Sequence, residues 1–148
     1  MSGKPKDKAS QSMAPVDDLA KLVVTIRPLH PETAIHAQTI RLRSGDFPFY
    51  FGRRVNHRHE VARHVDGQEL KIVDKGPFQV SRNHCSLEIS DGQVVVLDAG
   101  STLGTIVNGQ SIGRKAGCFI ATLKAGVYEL TLGTAHSPHR FEISVEFD

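Results

Sequence analysis

Two short polar loops carry the residue types best suited to chemistry. Ser81-Arg82-Asn83-His84 gathers a hydroxyl, a guanidinium, an amide and an imidazole, and Ser101-Thr102-Leu103-Gly104 adds further hydroxyls. Phe51-Gly52-Arg53 delivers another guanidinium. Cationic and hydroxyl donors of this kind are what a protein uses to hold an anion. Catalysis is the competing chemistry. Ser81, His84 and Asp98 are the residue types of a hydrolase triad, but Ser81 and His84 share one short loop that lacks the G-x-S-x-G elbow. His84 and Cys85 are consecutive, so in a strand they project to opposite faces and make a poor nucleophile–base pair. No Walker loop or dinucleotide fingerprint is present. These features argue against an enzyme.

The loops need elements to position them. From Cys85 the chain alternates, with Cys85, Leu87 and Ile89 apolar and Ser86, Glu88 and Ser90 polar, the period of a half-buried strand. Asp91-Gly92 supplies a two-residue hairpin turn, and Val94-Val95-Val96-Leu97 returns as a more deeply buried strand. The hairpin therefore brings the loops at residues 81–84 and 101–104 to the same end of a sheet. Asn108-Gly109 is a second turn of the same kind. Further strands are expected around Leu22–Arg27, Phe47–Arg53, Leu70–Ile72, Ile112, Phe119-Ile120, Val127–Leu132 and Phe141–Phe147, while residues 32–43 suit either a helical turn or a strand. Many short strands separated by turn signals indicate an all-β sandwich. Cys85 fits a core hydrophobe, and His84 a buried, hydrogen-bonded structural histidine.

Composition narrows the partners. A chain of 148 residues suits one domain with a tail, and a net charge of +2 is too slight for bulk attraction to nucleic acid. Seven Phe and two Tyr without Trp offer no conspicuous platform for stacked bases. Apolar runs stay far short of the roughly 18 residues a membrane span needs. Sparse cysteines, Cys85 and Cys118, argue for no disulfide framework and a cytoplasmic setting. Residues 1–20 are polar enough to be a disordered tail, leaving 21–148 as the domain. Residues 53–64 are the most basic stretch. His57, His59 and His64 within it have no cysteine or carboxylate pair to complete a metal set, so a solvated basic loop with no metal is expected.

At this point an ordered set of motifs resembles the forkhead-associated (FHA) domain family: Phe51-Gly52-Arg53, then Ser81-Arg82-x-His84, then Asp98-x-x-Ser101-x-x-Gly104-Thr105-x-x-Asn108-Gly109, with a late Leu130-x-Leu132-Gly133. The resemblance spans about Leu22 to Asp148. It implies a β-sandwich of about eleven strands in two sheets, with binding loops at one end. It also implies a non-catalytic module, without cofactor, that reads phosphothreonine peptides in signalling dependent on Ser/Thr kinases. The implied partner is a kinase or its substrate. On that likeness Arg53, Ser81, Arg82, Thr102 and Leu103 face the phosphopeptide, while Gly52, His84, Gly104 and Asn108 hold the loops in register.

The sequence departs from the family pattern in two places. Leu103 stands where the family often has an asparagine that hydrogen-bonds the peptide main chain, a loss of about 1–3 kcal/mol if nothing substitutes. The segment between Arg53 and Ser81 is also longer than usual. The alternative reading is a phosphate-independent interaction or scaffold domain.

Overall fold

The alternation at Leu22, Val24 and Ile26 is kept in space, with all three side chains wholly buried on one face of β1 (Leu22–Pro28). The computed structural model describes residues 19–29, 39–55, 63–65 and 68–148. The expected tail, apart from Leu19 and Ala20, lies outside these residues, as do His57, His59 and most of the basic stretch. The strands that follow are β2 (Ile40–Leu42), β3 (Phe49–Arg53), β4 (Arg63–Val65), β5 (Glu69–Ile72), β6 (Cys85–Ser90), β7 (Gln93–Asp98), β8 (Thr105–Val107), β9 (Gln110–Ile112), β10 (Ile120–Leu123), β11 (Gly126–Leu132) and β12 (Arg140–Phe147).

These strands form the expected two-sheet sandwich. One six-stranded sheet runs β2-β1-β12-β11-β8-β9 and the other β10-β7-β6-β3-β5-β4. Neighbours are antiparallel except β3 and β5, which pair in parallel with Phe51 opposite Leu70. Both hairpin turns have the handedness their residues suggest. Asp91 and Gly92 take φ of 52° and 76°, and Asn108 and Gly109 take 49° and 81°, the left-handed pair of a type I′ turn.

The core lies between the sheets, where alternate residues point inward. Leu22, Ile26, Leu130, Leu132 and Ile143 of the first sheet meet Leu70, Ile72 and Leu87 of the second, all fully buried. Phe51 bridges the layers, its ring 5.5 Å from that of Phe49 in its own strand and 5.5 Å from Phe141 opposite. Three local expectations are refined. Ile40–Leu42 is a strand rather than a helical turn, held by its pairing with β1. Arg63 and His64, expected in a loop, belong to β4, because the parallel β3–β5 pairing leaves the far edge of β5 open and β4 fills it. Phe119 precedes β10 and is exposed.

Candidate functional site

Strand β3 ends at Arg53 because its partner loop crosses there. Two backbone hydrogen bonds fasten that crossing: Arg53 N–H donates to the Ser81 carbonyl at 2.9 Å, and His84 N–H to the Phe51 carbonyl at 3.0 Å. Between them Gly52 lies directly beneath the Arg82 carbonyl. A Cβ at Gly52 would meet the Arg82 oxygen well inside van der Waals contact and lie 3.1 Å from its carbonyl carbon, so a bare Cα is what lets the loop close onto the strand. Arg53 itself is half-buried and held from two sides. Its Nε donates to the Val80 carbonyl at 2.9 Å, and the guanidinium carbon lies 4.0 Å from the centre of the Phe78 ring. Its Nη atoms make no hydrogen bond among the described residues.

The two polar loops are fastened to one another through His84. The ring is fully buried; its Nδ1 accepts from the Ser81 N–H at 3.0 Å and its Nε2 donates to the Gly104 carbonyl at 2.8 Å. Burial drives the histidine pKa below its ordinary value of 6.5, a shift only partly opposed by the Gly104 bond and the nearby carboxylates, so the neutral form prevails. With both nitrogens engaged, His84 has none left to act as a base on the Ser81 hydroxyl. A second tie is made by Ser81 Oγ, which accepts from the Thr102 N–H at 2.9 Å and lies 3.4 Å from the Thr102 hydroxyl.

The shape of the second loop comes from Asp98, buried at the end of β7. Its Oδ1 accepts from the N–H groups of Gly100 and Ser101, both at 2.8 Å, and its Oδ2 from the hydroxyls of Ser101 and Thr105, both at 2.7 Å. Ser101 Oγ in turn accepts from the Gly104 N–H at 3.0 Å, and Gly104 adopts a φ of +88°. Burial raises the Asp98 pKa, but the Ser101 and Thr105 bonds outweigh it and hold the carboxyl below its ordinary 3.8. The network pushes Thr102 and Leu103 out at the tip of the loop, both exposed. Asn108 lies further off and accepts from the Glu129 N–H at 2.7 Å, tying the β8–β9 turn to β11.

Arg53, Ser81 and Thr102 are thus brought together across two loops, with Gly52, His84 and Gly104 beneath them. Arg82 is exposed and lines a groove of about 360 Å³ with Tyr50, Glu69 and Leu97. Leu103 lines a separate cleft of about 310 Å³ with Arg114, Lys115 and Thr134. The N–H groups of Arg82, Asn83 and Leu103 have no acceptor among the described residues. Fixed donors without partners on loops of a rigid sandwich can receive an anion with little reorganisation. Among the described residues no cluster of His, Cys, Asp or Glu could hold a metal ion, and no helix is long and apolar enough to cross a membrane. Sequence reasoning missed Val80, Phe78 and Asp74, whose contacts with Arg53 or its loop leave no local spacing to recognise.

A sequence model described as the FHA domain matches residues 49–126. Among solved structures, the Rv1747 FHA-1 domain of Mycobacterium tuberculosis superposes with a TM-score of 0.56 at 17% identity, covering 85% of this chain and 98% of that one. The FHA domain of an Arabidopsis thaliana hypothetical protein gives 0.55 at 19% identity, covering 87% of each. EmbR of M. tuberculosis, solved in complex with a low-affinity phosphopeptide, gives 0.54 at 16% identity, covering 97% of this chain and 31% of that one. No curated protein matches the chain.

Proposed function

The chain belongs to the FHA domain family, and on that footing we propose that it is a non-catalytic module that binds phosphothreonine peptides with the loops around Arg53. The observation that carries this reading is the state of Arg53. Its Nε is fixed on Val80 and its face rests on Phe78, while its Nη donors are unpaired among the described residues, beside a serine anchored to the opposite loop. A phosphate dianion accepts charge-assisted hydrogen bonds from such a fork, and the Ser81 hydroxyl can turn towards it. On this reading Thr102, tied to Ser81, touches the phosphothreonine or its neighbouring main chain. Leu103, one residue on, offers an apolar contact in place of a hydrogen bond. The partner is a phosphorylated protein, a Ser/Thr kinase or its substrate, in a cytoplasmic signalling pathway.

Binding to a degenerate phosphothreonine peptide library tests this, with unphosphorylated and phosphoserine libraries as controls. The wild type should capture the phosphothreonine library selectively. Arg53→Ala should lose that capture while remaining folded, and Arg53→Lys should recover only part of it, because an ammonium cannot reproduce the fork. Exposed Leu103 at the loop tip favours one other reading, a phosphate-independent interaction surface. Capture that survives both phosphatase treatment and Arg53→Ala would select it.

A further inference from the structure

The candidate site stands on a clasp that neither polar loop contains. Asp74 follows β5 and is 5% exposed. Its Oδ2 accepts from the N–H groups of Gln79 at 2.7 Å and Val80 at 2.8 Å, which folds residues 74–80 into a closed loop around the carboxylate. Its Oδ1 accepts from His139 Nε2 at 3.0 Å, and His139 lies in the turn between β11 and β12. Beside this pair Gln79 Oε1 accepts from the Thr134 N–H at 2.8 Å and from the Thr134 hydroxyl at 3.1 Å. Loop 74–81 is therefore gripped at two points by turn 133–139, across the gap between the sheets.

The grip has a direct line to the site. Val80, whose N–H is held by Asp74, presents the carbonyl that orients Arg53 Nε. Phe78, under the guanidinium, and Ser81, which carries the site hydroxyl, belong to the same loop. We propose that Asp74 and Gln79 are positioning residues for phosphate recognition, setting the guanidinium of Arg53 through the loop they clasp to turn 133–139. Neither need touch the ligand. This rests on the phosphopeptide reading, and a wild type that captures no phosphothreonine peptide would refute that reading alone.

Two readouts test the clasp: affinity for a phosphothreonine peptide selected by the wild type, and the Arg53 Nε–H resonance in the free protein. Fixed on Val80, the wild-type Nε–H should give one sharp, downfield signal. Asp74→Ala should broaden that signal and weaken peptide binding about tenfold, the effect of misplacing one charge-assisted hydrogen bond. Asp74→Asn should retain both within about threefold, or roughly 0.7 kcal/mol. Its amide oxygen can still accept from both N–H groups, and its NH₂ can face His139 in the other tautomer. Gln79→Ala removes the second grip at a half-buried position that should tolerate truncation, with an expected loss of about threefold. It serves as the deciding variant if Asp74→Ala does not fold. A folded Asp74→Ala or Gln79→Ala that keeps both wild-type affinity and the sharp Nε–H signal overturns the proposal.

Discussion

Replacing Gly52 by alanine should damage the protein far beyond the addition of one methyl. The new Cβ would fall closer to the Arg82 carbonyl oxygen than the 3.0 Å that real Cβ atoms keep, and the obstacle is backbone. Relief requires the loop at residues 81–84 to lift by about an ångström from β3. The two hydrogen bonds that bracket Gly52, at 2.9 and 3.0 Å, would then stretch past useful length. The two together contribute about 1–3 kcal/mol and the overpacking strain about 1–3 kcal/mol more, so a loss of about 2–6 kcal/mol is expected. Urea unfolding measures it. The same lift moves Ser81 away from Arg53, so phosphopeptide affinity should fall even where the variant is fully folded. A Gly52→Ala protein within about 0.5 kcal/mol of wild type would refute the reasoning, since that is the range of an ordinary surface substitution.

Asp98→Asn keeps one oxygen for the Gly100 and Ser101 N–H groups but sets an NH₂ against the Ser101 and Thr105 hydroxyls, which must turn to accept and lose their charged acceptor. Stability should fall by about 1–3 kcal/mol, read by thermal or urea unfolding. Acid should have a related effect. Asp74 and Asp98 are both held below 3.8 when folded, so their stabilisation is present above the unfolded carboxylate value and is lost as pH falls through the lower folded values. Urea midpoints taken from neutral pH down to about pH 2.5 should drop steeply below about pH 4, and Asp98→Asn should flatten that limb. Leu103→Asn restores an amide at an exposed loop tip. It should tighten phosphopeptide binding by about 1–3 kcal/mol with unchanged stability, measured by titration calorimetry.

The strands are legible because their signals are local. Period-two alternation from Cys85 to Ile89, followed at once by Asp91-Gly92, specifies one hairpin, since few conformations besides a half-buried strand and a type I′ turn satisfy both. That hairpin also makes the meeting of Ser81 with Thr102 foreseeable, because it returns the chain to its starting end. Ile40–Leu42 is ambiguous because three residues hold too little periodicity, and their strand conformation comes from pairing with β1. The supports of Arg53 are hidden for a different reason. Gln79 finds Thr134 across 55 residues and Asp74 finds His139 across 65, contacts that sheet packing creates and no spacing records. The four bonds to Asp98 lie between, with the residues visible as a motif but their shared carboxylate apparent only in space.

The pairing of β1 with β12 decides where a load on the chain would act. Leu22 sits opposite Phe147, and the Asp148 N–H reaches the Lys21 carbonyl at 2.9 Å. Turn 133–139 lies beside Gln79 and Gly104, and β12 then carries the chain eight residues, about 25 Å, towards the opposite pole. The start of β1 and the end of β12 are therefore side by side, at the far end from Arg53. A force applied at Lys21 and Asp148 would act on the base of the sandwich and peel β1 from β12, leaving the loops around Arg53 unloaded.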